Sequence, residues 1–133
     1  MEGIELDPLS IVIAAVLYVV INFFWYSKWL FGKVWSEIAE MKMSQVHKNF
    51  GRKVFGNIIV GLVIAYFLAF FEGYLNVTSV PDGMFVGFCL WLGFVVTTQL
   101  GPVIWLGKPI KLFAIDTGAD LLSYLVMSGV IGA

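Results

Sequence analysis

Four long apolar runs, residues 9 to 27, 54 to 71, 83 to 106 and 112 to 131, leave this chain few folds to adopt. Each is close to the roughly 20 residues that an α-helix needs to cross a hydrocarbon core about 30 Å thick. Only 13% of the 133 residues are charged and 60% are hydrophobic, whereas an ordinary soluble domain carries about 25% charge. A fold with that composition has lipid as its solvent. Strands of a membrane barrel would alternate apolar and polar residues over segments of about 10, but Ile11 to Val20 and Ile58 to Phe71 are apolar on every side. The expected fold is all-α and polytopic. It is a single membrane domain over 1–133 with transmembrane helices at about 9–30, 53–72, 82–106 and 110–131, joined between the first two by a loop at about 31–52.

The charges orient that bundle. All eight basic residues follow the first run (Lys28, Lys33, Lys42, Lys48, Arg52, Lys53) or the third (Lys108, Lys111), while Glu2, Glu5, Asp7, Glu72 and Asp82 fall on the other side. Basic loops stay in the cytoplasm, so both termini are expected outside. Such polarised charge gives no footprint for nucleic acid. The segment Met1 to Pro8 has no basic n-region and no small-residue cleavage site follows it, so the first helix is expected to be retained. Asp7 followed by Pro8 suits an N-cap and a first helical turn. At the other end Trp25, Tyr26, Trp29 and Trp35 mark the lipid–water interface, as do Lys33, Trp105, Lys108 and Lys111. Phe31, Val34, Trp35, Ile38 and Met41 recur at helical spacing, which predicts a short amphipathic interfacial helix over 32–42.

Small residues predict where helices meet. Gly61, Ala65 and Ala69 form one stripe, and Gly83, Gly87, Leu90, Phe94, Thr97 and Gly101 share a face of the third helix. Gly101-Pro102 is expected to kink that helix. Asn76-Val77-Thr78 spells a glycosylation sequon too close to two membrane entries to favour modification. Cys89 has no second cysteine to pair with and is expected to be a buried, inert thiol. Trp29-Leu30-Phe31-Gly32-Lys33 and Trp105-Leu106-Gly107-Lys108 echo one another, either as a trace of duplication or as two copies of the same interfacial anchor.

Trp25-Tyr26-Ser27, Leu30-Phe31-Gly32-Lys33 and Trp35, then Gly87-Phe88 with Trp91-Leu92-Gly93-Phe94, then Gly107-Lys108-Pro109 with Lys111-Leu112-Phe113 and Gly118 carry a resemblance. Together they resemble the family catalogued as domain of unknown function 1761, over nearly the whole chain. The resemblance implies a small, mainly bacterial, four-helix membrane protein and no activity, and the expected location is a bacterial cytoplasmic (inner) membrane. Many members have a Gly-Tyr pair in the fourth helix where this chain reads Gly118-Ala119-Asp120.

The chemistry-bearing residues lie within the apolar runs. Asp116 and Asp120 are four apart in the fourth helix and share a face that Ser123 continues. A carboxylate in hydrocarbon costs about 2.5 to 3.5 kcal/mol on insertion scales, so this stripe is expected to look into the bundle or a wet cavity. Asn22, Asn57, Thr97, Thr98 and Gln99 lie at similar depth in the other helices, which allows a polar cluster with both aspartates. That cluster reads as interhelical glue or as part of a solute or proton path. Asp116-Thr117-Gly118 also spells the aspartic-protease triplet, but a single copy inside a helix is not that site. His47 has no clustered partner, so neither a metal nor another cofactor is expected. Two functions remain open: a non-enzymatic oligomeric or accessory membrane subunit, and a minimal proton-coupled small-solute transporter that uses the two aspartates. An intramembrane enzyme stands behind both, since no positioned nucleophile and base can be read.

Overall fold

A computed structural model of the chain describes residues 6–27, 32–38 and 49–133, and within them the side chains of all but Gly32 and Lys33. The expectations for Trp29, for the Lys33 side chain, and for His47 with residues 39–48 lie outside the described residues. All regular structure among those residues is helical, with α1 at Pro8–Trp25, α2 at Gly32–Ile38, α3 at Phe50–Tyr74, α4 at Val80–Leu106 and α5 at Ile110–Gly132. Helices α1, α3, α4 and α5 are each long and apolar enough to cross a membrane.

Local chemistry sets the ends. Asp7 caps α1 by accepting the Leu9 N–H at 3.1 Å, one of the donors that a helix start leaves unsatisfied. The chain leaves α1 at Tyr26, earlier than residue 30, at the residue whose side chain crosses to α5. Helix α3 ends in a paired closure: Asn76, at φ 58°, donates to the Gly73 carbonyl and Val77 donates to the Glu72 carbonyl. Asparagine tolerates the left-handed conformation that this stop requires. Ser79 caps α4 through the Asp82 N–H. Gly107, at φ 67°, closes α4 in a conformation that a side chain would strain.

One irregularity redirects α4. Trp91–Val96 forms a π-helical turn, and a π turn accommodates an extra residue, rotating everything beyond it by about 100°. The inward face therefore advances from Gly83 and Gly87 through Trp91 to Gln99. Phe94, Thr97 and Gly101 do not continue it. Phe94 is exposed, and a Cβ on Gly101 would meet nothing within 4 Å. Gly101 is thus not packed against another helix among the described residues of this chain. Cys89 is exposed on the same helix, not buried.

Helix α5 is the hub, packing against α1, α3 and α4, while α3 and α4 scarcely touch. The core is Ala14, Tyr18, Ala65, Leu68 and Met127, two of them alanines. Small residues admit close helix approach without a hydrophobic driving force between helices. Gly61 shows this directly, because a Cβ there would sit 3.0 Å from the Tyr18 ring and 3.1 Å from the Ala15 carbonyl. The Gly83 and Gly87 contact is tighter still. Side chains at those positions would collide with the Ser128 carbonyl and the Ser128 hydroxyl respectively.

Candidate functional site

Asp116 and Asp120 lie in the half of α5 nearer the lysine-bearing ends of α3 and α4, both half-buried. The Tyr26 hydroxyl donates to Asp116 at 2.6 Å, and the Gln99 amide donates to Asp120. Burial and the hydrogen bond to Asp116 push the Tyr26 phenol above its ordinary range, so the hydroxyl remains the donor. Two indoles add to the same seam. Trp25 donates to the Ile115 carbonyl at 3.0 Å and Trp91 to the Thr117 carbonyl at 2.8 Å. Gly118 makes room for this arrangement, since a Cβ there would lie 3.1 Å from the Trp25 ring. Helix α5 is therefore tied to the end of α1 and to α4 by four side-chain donors, two to carboxylates and two to backbone carbonyls.

The remaining residues of the expected cluster are placed differently. Thr97 and Thr98 are exposed and their hydroxyls donate back to their own helix, at Gly93 and Phe94. The π turn rotates them away from α5, and a threonine hydroxyl finds the carbonyl four residues back within reach. Asn22 likewise donates to Tyr18 of its own helix at 2.8 Å. Asn57 is half-buried. Ser123 continues the aspartate stripe and is fully buried, and its hydroxyl has no hydrogen-bond partner among the described residues. Tyr124 lies one turn beyond Asp120 on α5 and packs against the core that includes Tyr18.

The expected interfacial residues divide as well. Trp105 is 87% exposed and Lys108 and Lys111 are exposed beside it. Trp25 and Tyr26 instead turn inward, and Trp35 sets its ring edge-on to Tyr26 at 5.8 Å. Among the described residues no group of three or more His, Cys, Asp or Glu is placed to hold a metal ion.

A second polar region occupies the opposite end. Glu72, in the last turn of α3, is 2% exposed and neither carboxylate oxygen has a hydrogen-bond partner among the described residues. One oxygen lies against Gly83 of α4 and Gly132 of α5. Beside it is a cavity of about 100 Å³ lined also by Asp7, Ser10, Val77 and Ile131. Position alone makes Glu72 look like loop charge. The available signal was its spacing, three residues beyond Ala69 on the stripe of Gly61 and Ala65.

A family model described as protein of unknown function (DUF1761) matches residues 9–132, which take in all four spans but for Pro8 and both polar regions but for Asp7. The chain belongs to that family. No curated protein and no solved structure matches it. The DUF1761 match covers the motifs around Trp25, Trp91 and Gly118, and these residues form the seam around the two aspartates.

Proposed function

We propose that this DUF1761 protein is a non-enzymatic, multi-pass protein of a bacterial inner membrane that acts by association, as a homo-oligomer or as a small subunit of a larger membrane complex. The observation that carries this reading is the hydrogen bonding of the α5 carboxylates. Each receives a donor from another helix, Tyr26 for Asp116 and Gln99 for Asp120, as polar glue requires. A surface feature supports the association. Where α3 and α4 diverge, an apolar groove of about 240 Å³ opens between Phe67, Phe71 and Phe94, with Leu68 and Tyr124 at its floor. The grouping of lysine and arginine around the first and third connections supports a reading in which both termini lie outside.

Native mass spectrometry of the protein extracted with its lipids tests the reading, with a discrete oligomer or a co-purifying membrane subunit as the expected result. A phosphatase fused after Ala133 should be active if the orientation is right. The second reading, a proton-coupled transporter, draws on the hydroxyls of Tyr18, Tyr124 and Ser123 grouped along the aspartate stripe. Asp120→Asn separates the two. As glue, the asparagine variant folds and leaves proteoliposome fluxes unchanged; as a proton carrier, it folds and loses a pH-dependent flux.

A further inference from the structure

Glu72 leaves α3 from a fixed backbone. Its own carbonyl accepts the Val77 N–H at 2.9 Å and the Gly73 carbonyl accepts the Asn76 N–H, so the helix stop holds the point from which the side chain extends. The carboxyl is sealed in the seam between α4 and α5, and neither oxygen has a hydrogen-bond partner among the described residues. Backbone makes that seam. A Cβ on Gly83 would collide with a Glu72 carboxyl oxygen and with the Ser128 carbonyl oxygen, so these two oxygens converge on the space that the absent side chain leaves. A Cβ on Gly132 would lie 3.0 Å from the same carboxyl oxygen and 2.6 Å from the Ser79 carbonyl. Both polar groups beside the carboxyl are therefore hydrogen-bond acceptors.

Two acceptors decide which form of the acid fits. As an anion, Glu72 has only lone pairs to set against the Ser128 and Ser79 carbonyls, and an isolated buried carboxylate is costly enough that it takes up a proton instead. As the neutral acid it has an O–H to donate. A carbonyl oxygen has two lone pairs, and Ser79, which accepts the Gly83 N–H at 3.0 Å, keeps one for a second donor. The charged neighbours act in the same direction. The titratable side chains described around this end are Asp7 before α1, Tyr74 in the last turn of α3 and Asp82 in the first turn of α4, while α5 brings none nearer than Tyr124. No lysine, arginine or histidine precedes residue 28, lies between residues 53 and 108 or follows residue 111.

We propose that Glu72 is carried as the neutral acid and that its O–H, donated to the Ser128 or Ser79 carbonyl, is a pH-sensitive latch fastening the end of α3 to α4 and α5. Such a fastening has consequence here, because α3 and α4 scarcely touch. When the proton passes to water, an anion is left against two carbonyl oxygens, and parting the seam to admit water relieves it. The latch is separate from the α5 aspartates, which lie beyond the apolar layer of Leu68 and Met127.

The test uses the purified full chain in detergent, with its five glutamates labelled with carbon-13 at the side-chain carboxyl. At neutral pH one carboxyl signal of the wild-type protein should stay at the position of a neutral acid, a measurement that does not depend on a variant folding, and Glu72→Gln should lack that signal. Hydrogen exchange corrected for its intrinsic rate reads the latch itself. Protection of residues 80–87 should fall as pH rises, by about tenfold per pH unit for an opening that releases one proton, and should stay level in Glu72→Gln, whose amide donates without a charge to gain. The wild-type melting temperature should drop relative to Glu72→Gln over the same range, by roughly 4 °C for each pH unit in which the folded chain keeps a proton that the unfolded chain has lost. Five glutamate signals all at the ionised position at neutral pH, as pairing of Glu72 with any cation would also give, would overturn the proposal. A neutral-acid signal with protection of 80–87 unmoved by pH would overturn the latch.

Discussion

Two carboxylate regions sit at opposite ends of one bundle and are solved in opposite ways. Asp116 and Asp120 are half-buried and each has a donor from another helix, while Glu72 is almost wholly buried and has none among the described residues. The difference lies in the neighbours. Around the aspartates the packing residues are Trp25, Tyr26, Trp91 and Gln99, which fill space and donate hydrogen bonds. Against the Glu72 carboxylate they are Gly83 and Gly132, which let helices close in and have no side chain to offer. A glycine seam can bury a carboxylate without satisfying it. One end is therefore cross-linked by its acids, and the other seals an acid between glycines.

The largest expected effect tests the seam that closes over Glu72. Gly83→Leu must displace both the Glu72 carboxylate and the Ser128 carbonyl, so the loss should reach about 3 kcal/mol, the upper part of the range for overpacking. Gly56→Ala, in the first half of α3, is its reference. With open space around that position, alanine should leave stability unchanged or raise it by about 0.5 to 1 kcal/mol through helix propensity. Thermal unfolding in detergent measures both, and equal losses would remove the distinction between a packed and a merely small-residue face.

The next effect is a difference of sign between the two regions. Asp120→Leu leaves the Gln99 amide without its acceptor, a loss of about 1 to 3 kcal/mol for a buried unsatisfied donor. Glu72→Met should instead be neutral or stabilising by about 1 to 4 kcal/mol, because an apolar side chain replaces a buried carboxyl that has no donor among the described residues. Melting curves of the two variants side by side decide the matter. Destabilisation of similar size in both would mean that Glu72 has a donor equivalent to Gln99.

The spans were legible because runs of about 20 apolar residues and the confinement of lysine speak to the solvent of the fold, whatever the packing. Helix caps were legible for a local reason: Asp7 with Pro8 specifies a start regardless of neighbours. The site was legible only where the periodicity of a regular helix held. Asp116, Asp120 and Gln99 come together, but Thr97, Thr98 and Gly101 miss the seam because the π turn at Trp91–Val96 shifts their register. Nothing in Trp91-Leu92-Gly93-Phe94 announces that turn from composition alone. Glu72 was obscured by its position beside the exposed turn at 75–79, where burial depends on α4 and α5 closing over it.

The smallest effect measures what a donor is worth at the satisfied end. In a double-mutant cycle of Tyr26→Phe and Asp116→Asn, the coupling isolates the hydroxyl–carboxylate bond across α1 and α5. Interhelical side-chain bonds of this kind average about 0.6 kcal/mol and reach about 1.7. The charge on Asp116 and the short 2.6 Å separation place the expected coupling in the upper half of that range. The companion cycle pairs Tyr26→Phe with Glu72→Gln at the other end, where distance predicts additivity within about 0.5 kcal/mol. A coupling confined to the first pair keeps the two regions separate. Equal coupling in both cycles would mean that loosening either end loosens the whole bundle, and the contrast between a cross-linked end and a glycine-sealed one would then reduce to a difference in local hydrogen-bond geometry.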